Sequence, residues 1–178
     1  MNLVQSAPIW LILLLCAVLA AAAIEDMIRL RISNVTVVAT IATALVAMTL
    51  GGWQIALWQN FLVFTALLLV GTVLFASEIL GGGDVKLFAA IGLWVDLAHA
   101  AQLVAAVLIS GGILALIVLA PRFVLQGKGR LKDRNKGIPY AVAIAIGMLL
   151  VIGLQRSSLT NPRPSPLEFH VPAAHAGK

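Results

Sequence analysis

Charge is scarce in this chain: 12 Lys and Arg with 7 Asp and Glu make up 11% of its 178 residues, under half of the roughly 25% usual in a soluble domain. That shortage excludes an ordinary water-facing surface. With 61% hydrophobic residues and a mean hydropathy of +1.05, the sequence describes an integral membrane protein. It has room for about five to seven spans of ~20 residues and none for a separate soluble domain. Cysteine is almost absent. The single Cys16 excludes an internal disulfide or a cysteine-ligated metal cluster, and inside an apolar run it reads as a buried, inert thiol. Leu13-Leu14-Leu15-Cys16 faintly resembles a lipoprotein processing site, but the basic residues that should precede it are missing. Histidine is nearly as rare, and His170 and His175 have no ligand-like company, so no metal is expected. The net charge of +5 does not imply nucleic acid, because Lys and Arg fall beside apolar segments, where topology explains them. Gly127-Lys128-Gly129 lacks the spacing and the Ser/Thr of a phosphate loop.

What is abundant is apolar length. Runs cover residues 8 to 24, 35 to 51, 57 to 77, 101 to 120 and 138 to 154, with a weaker one over 85 to 99. The first has no Lys or Arg before it, as a secretory signal would need, so it reads as a retained helix. The uninterrupted core of the weak run, Leu87 to Val95, is too short to cross ~30 Å at ~1.5 Å per residue, which leaves a re-entrant segment open. Charge decides between the two topologies. If all six runs cross, Arg29, Arg31, Lys86, Arg122, Lys128, Arg130, Lys132, Arg134 and Lys136 share one side. Only Arg156, Arg163 and Lys178 lie on the other. A re-entrant fourth run would instead set the six cations of 122 to 136 opposite Arg29 and Arg31. The basic side of short loops is cytoplasmic, so the expected fold is all-α, with six transmembrane helices and the N-terminus outside. Residues 1–155 form the membrane domain, and the Pro-rich 156–178 a disordered tail. Trp53 and Trp58 read as interfacial anchors, Lys128 to Lys136 as an orienting, lipid-touching loop, and Gly71, Ala66 and Gly111-Gly112 as close helix contacts.

Among so few acids, two stand out. Asp26 ends the first run and Asp84 opens the fourth, after Gly81-Gly82-Gly83, and the topology puts both at the cytoplasmic boundary. Carboxylates there are costly and point to function. Two of them a few ångströms apart cannot both ionise easily. One keeps a proton and polarises a carbonyl while the other deprotonates a water, which is the need of an aspartic protease. A helix N-terminus favours negative charge and a C-terminus disfavours it, so each residue's own helix assigns the charge to Asp84 and the proton to Asp26. Asp96 and His99, at the far end of the fourth run, read as water-facing.

Glu78 with Gly81-Gly82-Gly83-Asp84-Val85-Lys86-Leu87 resembles the GxGD signature of the bacterial type IV prepilin peptidases, with the glutamate six residues before the aspartate and the lysine two after it. Asp26-Met27-Ile28-Arg29-Leu30-Arg31-Ile32-Ser33-Asn34 is similar to that family's first catalytic segment, with Ser33 where proline is usual. Gly137-Ile138-Pro139-Tyr140-Ala141-Val142-Ala143-Ile144-Ala145 is like the segment opening its last helix. The chain starts directly at the first helix and lacks the paired CxxC motifs that go with pilin N-methylation. It therefore resembles the short, peptidase-only form of tight-adherence (Flp) pilus systems, the CpaA or TadV type.

The resemblance implies a multi-pass enzyme of the bacterial inner membrane, N-terminus periplasmic and catalytic loops cytoplasmic. It would remove the short basic leader of prepilins or pseudopilins with Asp26 and Asp84, without a cofactor and without methylating the product. Gly81 and Gly83 would give an extended substrate close access to backbone. Glu78 and Lys86 are auxiliary: they orient the carboxylates, bind the leader or pair with each other. Arg29 and Arg31 are topological first. Besides substrate and lipid, pilus-assembly proteins are candidate partners, with the loop 128 to 136 as a docking point. An archaeal preflagellin-type GxGD peptidase would share the dyad. A non-catalytic scaffold or small transporter with the aspartates as an ion site is the alternative of a different class.

Overall fold

The computed structural model describes the backbone of residues 1–125 and 139–160, and their side chains except those of 119–125 and 159–160. The basic loop 128 to 136 and the tail from 161 lie outside the described residues. Seven helices follow in order: α1 (Leu3–Ser6), α2 (Ile9–Arg29), α3 (Asn34–Leu50), α4 (Trp58–Ala76) after a 3₁₀ turn at Ile55–Leu57, α5 (Gly82–Gly92), α6 (Leu97–Leu125) and α7 (Tyr140–Thr160). No strand occurs among the described residues. Among the described residues four segments are long and apolar enough to cross a membrane: Ile9–Arg29, Ile55–Ala76, Leu97–Val118 and Tyr140–Ser158. Helix α3 is apolar but has 17 residues, and α5 has 11, or ~16 Å against a ~30 Å core. Length alone thus supports four crossings of the six expected.

The weak fourth run is short because it does not face lipid. Leu87, Ala89, Ala90 and Ile91 are fully buried, and Trp94 and Val95 continue the buried stretch. Helix α5 packs against α4, α3 and α7. Two glycines bring α4 and α5 together as antiparallel neighbours: a Cβ on Gly71 would meet Val85 at 2.6 Å, and one on Gly92 would meet Leu67 at 2.9 Å. Small residues allow this approach, which replaces a hydrophobic drive that lipid cannot supply. The other helices turn apolar side chains outward, among them Ile28 on α2, Val73 on α4 and Leu116 on α6, all exposed.

Ending a helix inside a bundle strands its last carbonyls, and each needs a donor where water is excluded. Asn60 on α4, fully buried, gives its side-chain amide to the carbonyls of Leu93 at 2.8 Å and Val95 at 3.2 Å. The backbone N–H groups of Leu3 and Val4 donate to the Trp94 carbonyl at 3.0 and 3.3 Å. Residues 2 to 7 are fastened in turn to α7. Asn2 donates to Gln155 at 2.8 Å, and the Arg156 guanidinium reaches the carbonyls of Val4 and Ala7. Arg156 therefore sits beside the start of α2, and α2 and α7 run antiparallel.

Several boundaries differ from the apolar runs, and α7 continues past residue 154 to Thr160, so that 156–160, expected to open the disordered tail, are helical. Helix α2 continues past residue 24 through Glu25-Asp26 to Arg29, ending at Leu30 in the left-handed region, φ 51°. Helix α6 runs through Pro121 to Leu125. Proline removes one N–H, and a neighbouring bundle tolerates that loss in apolar helices.

Candidate active site

Both aspartates are buried, Asp26 three residues before the end of α2 and Asp84 in the first turn of α5. Helix α7 packs on both helices, and Asp26 is near enough for its charge to act on Asp84. The Ala141 N–H, in the first turn of α7, donates to Asp26 Oδ2 at 2.9 Å. A helix start offers unpaired N–H groups and the positive end of a dipole. Asp26 thus ends one helix and faces the beginning of another.

Asp84 has a different environment. Its Oδ1 is buried with no hydrogen-bond partner. Burial first, and then the neighbouring Asp26 charge, raise its pKa from the ordinary 3.8 to about 6, while the Gly81 backbone N–H works the other way. Asp84 occupies the third position after Gly81, the N-cap of α5. From there a carboxylate folds back over the cap, as in half of a capping box. These surroundings differ from what each residue's own helix alone would provide. Asp26 is the carboxylate with a backbone donor from α7, and Asp84 the one with an unpartnered, desolvated oxygen. A pair sharing one proton can activate a water and polarise a carbonyl, and its titration belongs to the pair.

The three glycines are not equivalent. A Cβ on Gly81 would lie 2.7 Å from Asp84 Oδ2, and one on Gly83 would lie 3.1 Å from Ile32 Cβ and 3.5 Å from the Ile32 backbone. Gly82 would meet only the Phe75 ring, at an ordinary 3.4 Å. The Ile32–Gly83 contact is where the Asp26 segment touches the Asp84 segment. Lys86 adds a second tie, its Nζ donating to Asn34 Oδ1 at 3.4 Å.

Glu78 stands apart. It is exposed, pairs with neither Lys86 nor any other described group, and has φ 58°. It closes α4 as the left-handed residue of a Schellman turn, with Glu78 N–H to the Phe75 carbonyl and Ile79 N–H to the Leu74 carbonyl, each 3.0 Å. Glycine is the usual residue there. Arg29 and Arg31 are exposed at the same end. Asp96 and His99 lie beyond Trp94, at the other end of α5. Asp96 caps α6 through the His99 N–H at 3.1 Å and meets His99 Nδ1 at 2.6 Å. Among the described residues no three His, Cys, Asp or Glu side chains gather as metal ligands.

Residues 13–119, well over half of the chain, match the family model Peptidase_A24, the type IV leader peptidase family, and the chain belongs to that family. Comparison with curated proteins and with solved structures gave no match. The matched segment contains Asp26, Glu78, Gly81, Gly83, Asp84 and Lys86. The family makes the chain a protease, and a leader peptidase implies a prepilin substrate.

Proposed function

We propose that the protein is an aspartic endopeptidase that removes the short basic leader of prepilins or pseudopilins, with Asp26 and Asp84 as its catalytic pair. The observation that carries this reading is that two buried carboxylates lie at one end of the bundle, near enough for the Asp26 charge to act on Asp84, in a chain of the leader peptidase family. Ionised Asp26 takes a proton from the attacking water while Asp84 gives its proton to the scissile carbonyl oxygen. The new C–O bond makes a neutral gem-diol. As the C–N bond breaks, the leaving amine takes the proton from Asp26, and a gem-diol hydroxyl returns one to Asp84.

The site faces the cytoplasm in this reading, in a bacterial inner membrane, with the start of α2 on the periplasmic side. All six apolar runs contribute to the membrane body, and α5 serves as a short inner helix carrying Asp84. Residues 1–155 make up the peptidase domain. Arg29, Arg31 and Lys86 lie at the dyad end of the helices and Arg156 at the opposite end, which supports that orientation. The activity proposed is cleavage without methylation, as in the peptidase-only enzymes of tight-adherence pili. Incubating bilayer-reconstituted protein with a candidate prepilin tests this by product mass. The expected product lacks the leader and carries no added methyl group. Uncleaved prepilin in the presence of folded protein would overturn the reading.

A further inference from the structure

Glu25 neighbours Asp26 but takes no part in the chemistry above. Its carboxylate points elsewhere: Oε2 accepts the Ser33 backbone N–H at 3.2 Å. Ser33 is the N-cap of α3, with φ −72° and ψ 147°, and its Oγ accepts the Thr36 N–H at 3.3 Å. One residue earlier, Ile32 is the group against which Gly83 packs, its Cβ 3.1 Å from the position of a Cβ on Gly83. Gly83 immediately precedes Asp84. A continuous set of contacts therefore runs from Glu25 through Ser33 and Ile32 to the first turn of α5.

We propose, resting on the dyad reading, that Glu25 is a positioning residue for cleavage: it holds the 30–33 segment against Gly83 and so fixes Asp84 relative to Asp26. It acts as a hydrogen-bond acceptor rather than as a charge. Without it the Ser33 N–H loses its partner and the segment is free to lift from α5.

The geometry of Ser33 supplies a specific rescue. Its φ lies within the range a proline ring imposes, about −65 ± 15°, and a proline already caps a helix of this chain in that conformation, Pro8 with φ −63° and ψ 151°. Proline at position 33 has no N–H to leave unpartnered and locks φ by itself. It makes Glu25 dispensable.

The test uses bilayer-reconstituted protein and a prepilin substrate, with kcat and KM read separately for Glu25→Ala, Glu25→Gln, Ser33→Pro and the double variant Glu25→Ala/Ser33→Pro. Loss of this hydrogen bond is expected to lower kcat of Glu25→Ala by about tenfold, with KM little changed. Glu25→Gln keeps an acceptor oxygen and should stay near wild type, as should Ser33→Pro. The double variant should recover most of the lost rate. An unchanged kcat in Glu25→Ala, an equal loss in Glu25→Gln, or a double variant as slow as Glu25→Ala would each overturn the proposal. Amide hydrogen exchange at residues 82–86 gives a readout independent of cleavage. Exchange should quicken in Glu25→Ala alone and return to the wild-type rate in the double variant. If wild type cleaves no prepilin, the dyad reading fails on the first readout, while equal exchange in all variants would overturn the positioning role on the second.

Discussion

Ala141 donates its backbone N–H to Asp26 Oδ2 at 2.9 Å across 115 positions of sequence. The start of α7 thereby becomes part of the site, and the charge on Asp26 is supported from a helix other than its own. Ala141→Pro would remove this donor near the beginning of a helix, where a missing N–H does least harm. Cleavage by the folded variant is expected to fall by roughly ten- to a hundredfold, since hydrogen bonds to charged groups contribute about 1.5–3 kcal/mol. Steady-state kinetics on reconstituted protein, with wild type as reference, checks it.

The raised pKa of Asp84, about 6, has a sign that can be tested in stability. Between 3.8 and about 6 the folded protein holds a proton that the unfolded chain has lost. The favourable contribution is therefore full at low pH and declines as pH rises through the folded value. Asp84→Asn removes the penalty. It should raise thermal stability above pH 6 by at most a few kcal/mol, and the gain should vanish toward pH 4. Differential scanning of detergent-solubilised protein across that range reads it. The same titration should make kcat/KM fall as pH rises through about 6.

The glycine contacts separate three residues that look alike. Gly81→Ala would push a methyl into the Asp84 carboxylate and Gly83→Ala would push one into Ile32, whereas Gly82→Ala meets only ordinary contact. Activity should drop at least about tenfold for the first two and stay within about twofold of wild type for Gly82→Ala. Parallel cleavage assays at matched amounts of folded protein distinguish them.

Glu78 holds a left-handed backbone conformation without a side-chain partner among the described residues. Glycine would adopt that φ at lower cost, by about 1 kcal/mol. Glu78→Gly should therefore raise the melting temperature slightly. If the carboxylate contacts the basic leader, it should also raise KM for substrate. A stabilised variant with unchanged kinetics would assign Glu78 to the turn alone.

Much of this arrangement was legible in the sequence, for a reason that also marks where legibility ends. Apolar runs expose α3 and α4 to within a residue or two, because membrane helices are written in composition. The same signal stopped short of Glu25 and Asp26, since a charged final turn is still helical when its groups find partners at the bundle end. Gly81 and Gly83 read as open backbone for a substrate, yet Gly82 and Gly83 lie inside α5. Gly83 packs closely on Ile32 despite its low helix propensity. Asp26 and Asp84 could be singled out as costly charges. Their hydrogen-bond surroundings could not, because those of Asp26 depend on a donor from α7. Asn60 was invisible for the same reason: a polar residue in an apolar run explains itself only when the carbonyls of Leu93 and Val95 arrive beside it.

The central claim is that Asp26 and Asp84 together perform the cleavage, and prepilin processing by Asp26→Asn and Asp84→Asn in a reconstituted bilayer tests it most directly. Both substitutions keep size and hydrogen-bonding capacity while removing the acid–base function. Each is expected to lower the cleavage rate by at least about a hundredfold, given the 10²–10⁴ that general acid–base catalysis contributes. Wild-type leader removal by either folded variant would contradict the dyad.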